Sequence, residues 1–129
     1  MNIYSGSSEG NGLAAALTNP TELAFRKGKL QQKYPVTVDG RTFMDAEAAY
    51  KAAKRDLTFR ELQSLMVRVL VAKLQQHRRL WQAIAKQGGV EWLETCSHSV
   101  NGGRWEGVGR KSAFIRCLIA AYEELSEVE

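Results

Sequence analysis

Cysteine, proline and histidine each occur only twice among the 129 residues of the chain. Cys96 and Cys117 have neither the spacing of a metal-ligand pair nor that of a redox motif, so we expect two reduced thiols. No apolar run is long enough to cross a bilayer, and no signal peptide is recognisable. The sequence therefore predicts a cytoplasmic protein without a membrane partner, and it excludes a disulfide-stabilised scaffold.

The motifs of common cofactor sites are missing as well. The chain contains no phosphate-binding loop, no dinucleotide fingerprint and no zinc-ligand pair. Ser97 and His98 are neighbours, but adjacency in the sequence does not provide the geometry of a nucleophile and its base. We predict neither a metal nor a cofactor, and no obligate protein partner is evident.

The composition is that of an ordinary globular domain, with 44% hydrophobic and 25% charged residues. A chain of this length can build a real core, so we expect residues 1–129 to form a single domain. The positive charge is concentrated in the middle of the chain, on Lys54, Arg55, Arg60, Arg68, Lys73, Arg78 and Arg79. These cations suit a phosphate-bearing ligand or nucleic acid, although each one also fits a solvated helix face.

The stretch Asp39–Lys54 combines a hairpin turn with a helix start. Asp39-Gly40 separates the runs 34–38 and 41–43, which are rich in β-branched and aromatic residues. Asp-Gly accepts the positive φ values of a two-residue turn. The next segment is rich in strong helix formers, and Asp45 is suited to cap it. We therefore predict a β-hairpin followed by a helix over residues 45–55.

Glu47 would lie in the first turn of this helix, where the helix dipole favours a carboxylate and where the side chain could point into a cleft. Lys54 follows seven residues later and can share the same helix face. Each residue also has a plainer interpretation, Glu47 as a first-turn helix acid and Lys54 as a helix-end cation. The residues alone leave both interpretations open.

The part of the chain before the hairpin is predicted to contain short elements separated by turns. The glycine-rich segment 6–12 is a loop that either lies over a site or serves as a plain connector. Thr18-Asn19-Pro20 favours a turn. In chain order, we predict a strand at 2–5, the loop at 6–12, a short helix or turn at 13–17, and two strands at 23–25 and 30–32.

A long helical region follows the hairpin and its helix. Thr58 and Glu61 form a capping box, which starts a helix at the next residue. Apolar residues recur at helical spacing as far as Ile84, which predicts either one long helix or two helices with a break near Gln75-Gln76. Gly88-Gly89 ends this region.

The last part of the chain combines a strand, an irregular loop and a helix. Val90–Cys96 alternates and is predicted to be a strand, and Ser112 is suited to cap a final helix. The loop Ser97–Lys111 contains Trp105, which either covers an edge of the core or stacks on an aromatic ligand. Overall, the pattern indicates an α+β fold, a mainly helical single domain with a small antiparallel β portion around Asp39-Gly40.

A series of short motifs runs through most of the chain: Asn2–Ser5, Leu17–Pro20, Tyr34–Phe43, Asp45–Lys54, Lys73–Leu80, Trp92–Glu94 and Trp105–Gly109. In their order and spacing these motifs resemble those of the NADAR family. Asp45–Lys54 is similar to the family's Ser-Val-Glu-His-Ala-Tyr-Gln-Ala-x-Lys helix. Trp105–Gly109 is similar to its Trp-Gly-x-Gly loop.

The resemblance implies an N-glycosidase that cleaves the C1′–N bond of a ribosylated base. Its substrate would be a small molecule, such as a phosphoribosylated pyrimidine intermediate of riboflavin synthesis, or ADP-ribosylated guanine, including ADP-ribosylated nucleic acid. Glu47 would stabilise the oxocarbenium-like transition state or orient water. Lys54 would bind phosphate, or its amine would attack the open form of the sugar.

The resemblance also implies a set of substrate-binding residues. Trp105 would stack on the base, Thr18 and Asn19 would hydrogen-bond ribose hydroxyls, and the glycine loops would hold phosphate. The whole set is Tyr4, Ser5, Thr18, Asn19, Arg104, Trp105, Gly107 and Gly109.

The chain departs from the family pattern at several places. Ala48 replaces the family's histidine after the helix glutamate, Ser112 replaces an asparagine at the start of the last helix, and residues 26–33 resemble an insertion. Two alternatives therefore stay open. One is a catalytically inactive ADP-ribose- or nucleotide-binding module of the same fold, which Ala48 and Ser112 favour. The other is a nucleic-acid-binding domain that uses the cations between Lys54 and Arg79, with an affinity that falls steeply with salt.

Overall fold

The computed structural model describes the backbone of residues 1–128 and the side chains of residues 1–126. The last residue of the predicted domain, Glu129, lies outside the described residues. Within the described range the chain is mainly helical and carries two small antiparallel sheets of two strands each. The predicted α+β fold class, mainly helical with a small antiparallel β portion, is confirmed.

The helices, in chain order, are α1 (Leu13–Leu17), α2 (Thr21–Arg26), α3 (Ala46–Ala53), α4 (Phe59–Gln76), α5 (Arg78–Gln87), α6 (Val90–Leu93) and α7 (Ala113–Val128). The strands are β1 (Val36–Val38), β2 (Arg41–Phe43), β3 (Ser97–His98) and β4 (Gly107–Val108). Short 3₁₀ turns span Glu9–Gly12 and Gly109–Lys111.

The predicted hairpin is present, with β1 and β2 paired antiparallel across Asp39-Gly40. Asp39 and Gly40 have φ values of 51° and 79°, as a two-residue turn requires. The predicted cap is also confirmed, because the Asp45 carboxylate accepts a hydrogen bond from the Ala48 amide at 2.9 Å. Its other oxygen accepts from the Glu22 amide at 3.0 Å, so one side chain holds the first turns of both α2 and α3.

The long helical region is two helices. The capping box of Thr58 and Glu61 is present at the start of α4. The break lies at His77, whose φ of −119° and ψ of 70° are not helical. Its ring nitrogen Nε2 lies 2.6 Å from the Pro35 carbonyl oxygen, which ties the break to the segment before β1. Gly88, with a φ of 134°, ends α5 as predicted.

Four predicted strands are wrong. Residues 23–25 belong to α2, and residues 30–32 form no strand. The helical start of α2 depends on Asp45, which is distant in the sequence and therefore invisible to local pattern reading. Val90–Cys96 contains the four-residue helix α6 instead of a strand, and residues 2–5 contribute a single parallel bridge from Asn2 to Ser97.

The core lies where α4 packs along α7, and α1, α3 and α5 close its sides. Its large, fully buried apolar side chains include Ile3, Leu17, Leu70, Leu74, Ile84, Leu93, Ile115, Leu118 and Ile119. Cys96 and Cys117 are both buried free thiols, as expected. Among the described residues, no helix combines the length and apolar character needed to span a membrane.

Candidate functional site

A cleft of about 700 Å³ opens between the start of α3, the turn before α2 and the loop that follows β3. It contains most of the residues that the sequence nominated, although they come from distant parts of the chain. The nominated residues that line it are Tyr4, Ser5, Thr18, Asn19, Glu47, Lys54, Arg104 and Trp105. Gly107 and Gly109 are not among the residues that line this cleft.

Glu47 lies on the cleft wall in the first turn of α3, where Asp45 caps the helix. Its carboxylate is half-buried and forms no hydrogen bond or ion pair with any side chain in the described part of the chain. Burial raises the pKa of Glu47 above its ordinary value, and the Asp45 carboxylate adds to that rise. The positive charges of Lys51, Lys54 and His98 oppose it and lower the pKa.

The backbone of the Thr18-Asn19 turn is fixed from two sides. The Thr18 carbonyl accepts a hydrogen bond from Lys73 Nζ at 2.5 Å. The Asn19 carbonyl accepts from the backbone amide of Glu47 at 3.2 Å. The turn is therefore linked directly to the start of α3, and the two functional segments keep a defined relative position.

The side chain of Asn19 is unusual because it is buried and only weakly satisfied. Its amide nitrogen lies 3.0 Å from the thioether sulfur of Met66, which is a weak acceptor. Its carbonyl oxygen Oδ1 has no hydrogen-bond partner among the described residues. Buried side-chain oxygens are normally paired, so this unpaired oxygen beneath the cleft wall is an exception.

The assignment of Lys73 to the protein surface is the clearest error of the sequence analysis. The sequence placed it among the cations that fit a solvated helix face, but its side chain is only 1% exposed and reaches the Thr18 carbonyl beneath the cleft. Burial lowers the pKa of Lys73 to about 7, and the nearby Asp45 carboxylate opposes that shift. A signal was available, because Lys73 follows Val69 and Leu70 at helical spacing and so shares their buried face.

Exposed cations form the rim of the cleft. Lys54 follows the last residue of α3, and its Nζ lies 5.9 Å from the centroid of the Tyr50 ring. On the opposite loop, the Arg104 guanidinium lies 4.3 Å from the centroid of the Phe59 ring at the start of α4. Arg55, one of the cations that the sequence analysis assigned to a phosphate-bearing ligand or nucleic acid, also lines the cleft, as does Lys51, which was not nominated. The rim is suited to an anionic ligand.

Trp105 lines the cleft and also packs against the core. Its ring meets Tyr50 and Phe59 edge-on, with centroid distances of 6.0 Å and 5.1 Å. The Ser112 hydroxyl donates to its carbonyl oxygen at 2.7 Å and accepts from the Ile115 amide at 3.1 Å, which makes Ser112 the predicted cap of α7. Trp105 therefore covers a core edge, and its stacking on a base stays a prediction.

Glu106 organises the loop that forms the outer wall of the cleft. Its carboxylate accepts hydrogen bonds from the backbone amides of Val100, Asn101 and Gly102 at 2.7 to 2.8 Å. The amide hydrogen bonds, that of Asn101 foremost, lower the pKa of Glu106 to about 2. This carboxylate stays ionised, and its oxygens already accept hydrogen bonds from the loop amides. It is therefore a structural element of the wall.

Gly107 and Gly109 serve close packing. A Cβ on Gly107 would lie 2.9 Å from the backbone of Lys111, and one on Gly109 would lie 2.4 Å from the Glu94 carbonyl oxygen. Gly109 also has a left-handed φ of 55°. Neither glycine lines the cleft, and their role in holding phosphate stays a prediction.

His98 lines the cleft, and sequence reasoning did not select it. Its Nδ1 lies 2.7 Å from the Ile3 carbonyl oxygen, and its ring tilts against Phe114 at 4.8 Å between centroids. A carbonyl can only accept, so Nδ1 donates the hydrogen of this bond. The only signal in the sequence was the Ser97-His98 pair, which pointed to a different chemistry.

The remaining site expectations concern metals and the basic face. No group of three or more metal-binding side chains forms within the described residues. Among the cations between Lys54 and Arg79, Lys73 is buried, and Arg68 forms an ion pair with Asp39 at 2.9 Å. These two residues are therefore not free cations on that face.

Comparisons of the chain with models of known protein families, with curated protein sequences and with solved structures found no match. Functional inference therefore starts from the chemistry of the cleft itself.

Proposed function

We propose that the cleft is the active site of an N-glycosidase that hydrolyses the C1′–N bond of a ribosylated or ADP-ribosylated nucleobase. One observation carries the proposal: the Glu47 carboxylate is half-buried, has no partner among the described side chains, and lies in a cleft with a cationic rim. A carboxylate without a structural partner is free to interact with a positively charged transition state. The cations around it suit the phosphates of such a substrate.

The reaction breaks the C1′–N bond, and its electron pair leaves with the base nitrogen. Positive charge develops on C1′ and the ring oxygen, and the Glu47 carboxylate stabilises it. The oxygen of a water molecule then bonds to C1′, and Glu47 accepts the proton that the water loses. The raised pKa of Glu47 favours that proton transfer, and the proton passes on to the departing base.

The neighbouring residues supply the binding contacts for this reaction. Thr18 and Asn19 line the cleft and are suited to contact the sugar, because their turn is held close to Glu47. Lys54 and Arg104 are suited to bind phosphate at the rim, and Trp105 is suited to contact the base. Lys54 is exposed at the rim of the cleft, which suits phosphate binding.

A binding module without turnover is the second candidate. Ala48 is the observation that favours it, because α3 then carries no imidazole next to Glu47. His98 supplies an imidazole to the cleft from another element, and its charge acts on Glu47, so the hydrolase remains the first candidate. A nucleic-acid-binding domain is the third candidate, and it predicts an affinity that salt abolishes.

The test is release of free base from a phosphoribosyl-aminopyrimidine, ADP-ribosylated guanosine and ADP-ribosylated DNA. Wild type, Glu47→Gln and the control Glu91→Gln are compared, because Glu91 is exposed on α6 and lies outside the cleft. We expect turnover of at least one substrate by wild type and Glu91→Gln, and its loss in Glu47→Gln. Stabilisation by ADP-ribose without any turnover would instead establish the binding module.

A further inference from the structure

The structure contains a second cavity, of about 790 Å³. Its lining shares no residue with that of the cleft. Its walls are the Ser8–Gly12 segment, the Gly28–Gln32 segment and the start of α5. The volume falls within the range of about 300–1,000 Å³ that is typical of small-molecule sites.

This cavity combines an apolar floor with charged residues of one sign only. Its floor is apolar and is formed by Ala16, Leu30 and Leu80, all of which are buried. Its charged residues are Lys29 and Arg79, and no carboxylate is present in the lining that the structure describes. An apolar floor with cations above it matches a ligand that has an apolar body and an anionic group.

Both cations can bind an anion. Arg79 is exposed and forms no hydrogen bond or ion pair with the part of the chain that the structure describes. Lys29 is half-buried, and its Nζ donates one hydrogen bond to the Ser8 hydroxyl at 2.8 Å, which leaves two of its three donors free. A guanidinium and an ammonium at one cavity can together surround a phosphate.

The remaining lining offers uncharged polar groups and an unusual backbone. Asn11, Gln31, Gln32 and the Tyr34 hydroxyl supply donors and acceptors for a heterocycle or a sugar. Asn11 has a φ of 54°, between two glycines that also have positive φ. Asparagine adopts this left-handed conformation more readily than most residues with a side chain.

The cavity is also independent of the sequence features that point to the cleft. Gly28–Gln32 lies within segment 26–33, which has no counterpart in the motifs that nominated Glu47. We propose that this second cavity binds a phosphomonoester with an apolar or heterocyclic body, of the size of a nucleoside monophosphate. Lys29 and Arg79 bind the phosphate, and the apolar floor holds the body of the ligand.

The test uses the whole chain labelled with ¹⁵N and titrated with AMP, adenosine and inorganic phosphate. Gly10, Gly12 and Gly28 report on the second cavity through their backbone amides, and Gly103 and the Trp105 indole report on the cleft. We expect AMP to shift the three reporter glycines saturably. Adenosine and inorganic phosphate should each bind there at least about 10-fold more weakly, since each lacks one half of the proposed ligand.

Substitutions assign the binding to the cavity. Arg79→Gln and Lys29→Gln should each weaken AMP binding at the reporter glycines about 10-fold or more, while Lys54→Gln, at the cleft, should leave it unchanged. The absence of saturable shifts at the three glycines, or an unchanged affinity in both cavity variants, would overturn the proposal. So would inorganic phosphate binding as tightly as AMP, because the apolar floor would then contribute nothing.

Discussion

The cleft and the second cavity are similar in size, at about 700 Å³ and 790 Å³, but they differ in charge. The cleft combines the Glu47 carboxylate with a rim of cations, whereas the second cavity contains cations and no carboxylate among its described lining. Cleavage of a glycosidic bond needs a group that stabilises positive charge, and binding of a phosphate does not. The difference indicates that only the cleft is equipped for this chemistry.

The two sites also differ beneath their surfaces. The cleft is supported by a buried polar network in which Lys73 binds the Thr18 carbonyl and Asp45 caps α2 and α3. The second cavity rests on apolar side chains, and its cations lie at its rim. The geometry of the cleft therefore rests on buried polar contacts, and that of the second cavity rests on apolar packing.

The largest expected effect is a loss of base release at the cleft that leaves ligand binding at the second cavity unchanged. In Glu47→Gln, base release should fall by about 100- to 10,000-fold, because the neutral amide neither stabilises the developing cation nor accepts the proton of water. AMP binding at the second cavity should be unchanged. The measurement is the rate of base release at saturating substrate, together with the AMP titration on the same sample.

The outcome that contradicts this prediction is a variant that folds, as judged by circular dichroism, and retains the wild-type rate. Glu47 would then be the first-turn helix acid of its plainer interpretation. A loss of AMP binding in the same variant would show that the two sites are coupled, which would break the comparison.

The next effect is a pH dependence of stability. Burial lowers the pKa of Lys73 in the folded protein from 10.5 to about 7. Between these values the unfolded chain binds the proton and the folded chain does not, so the free energy of unfolding should rise from about pH 7 towards pH 10.5. Below about pH 7 the Lys73 amine is charged in both the folded and the unfolded chain, so the full cost of burying its charge is present. Above pH 10.5 the amine is neutral in both states.

Urea unfolding at pH 7 and pH 9.5 measures this rise, which should reach several kcal/mol. Lys73→Met removes the titrating group, so the rise should be smaller in this variant by the contribution of Lys73. Equal slopes in the two proteins would show that the buried amine does not titrate in this range. Arg79→Gln serves as the control, because its cation is exposed and should leave the slope unchanged.

The third effect concerns the wall behind the cleft. Gly109→Ala should destabilise the protein by about 2–4 kcal/mol, because the new Cβ would lie 2.4 Å from the Glu94 carbonyl oxygen at a left-handed φ of 55°. The matched control is Gly103→Ala, which meets no atom within 4 Å and should change stability by less than about 0.5 kcal/mol. Thermal unfolding of the two variants measures the difference.

This pair also tests the role that the family resemblance gave to Gly109. If the glycine holds phosphate, Gly109→Ala should weaken substrate binding in conditions where the variant is folded. If it serves packing alone, the folded fraction should bind as wild type does. Equal stability of the two alanine variants would contradict the packing explanation.

The features that the sequence predicted well depend on short-range physics. Asp39-Gly40, the Asp45 cap and the Thr58–Glu61 box are each complete within a few residues, and each is present in the structure. The same applies to Glu47, whose place on the cleft follows from its position in the first turn of a capped helix. Local chemistry was sufficient in these places because the partner atoms lie within the same segment.

The features that the sequence predicted wrongly depend on partners that lie far away along the chain. Residues 23–25 became part of a helix because Asp45 holds its first turn from the other side of the hairpin. Lys73 was assigned to the surface because its acceptor, the Thr18 carbonyl, lies 55 positions earlier in the chain. The second cavity was missed altogether, since its three walls come from separate segments and none of them carries a recognised motif.

The smallest expected effect is the change in stability on substituting Arg79, an exposed cation, in contrast to the buried Lys73. Arg79→Gln should change the free energy of unfolding by less than about 0.5 kcal/mol, because the side chain is exposed and has no partner among the described residues. Urea unfolding at pH 7 measures this, and a loss of more than about 1 kcal/mol would show that Arg79 stabilises the fold itself. The weaker AMP binding of the same variant would then be explained by damage to the cavity wall, and Lys29→Gln alone would decide whether the cavity binds phosphate.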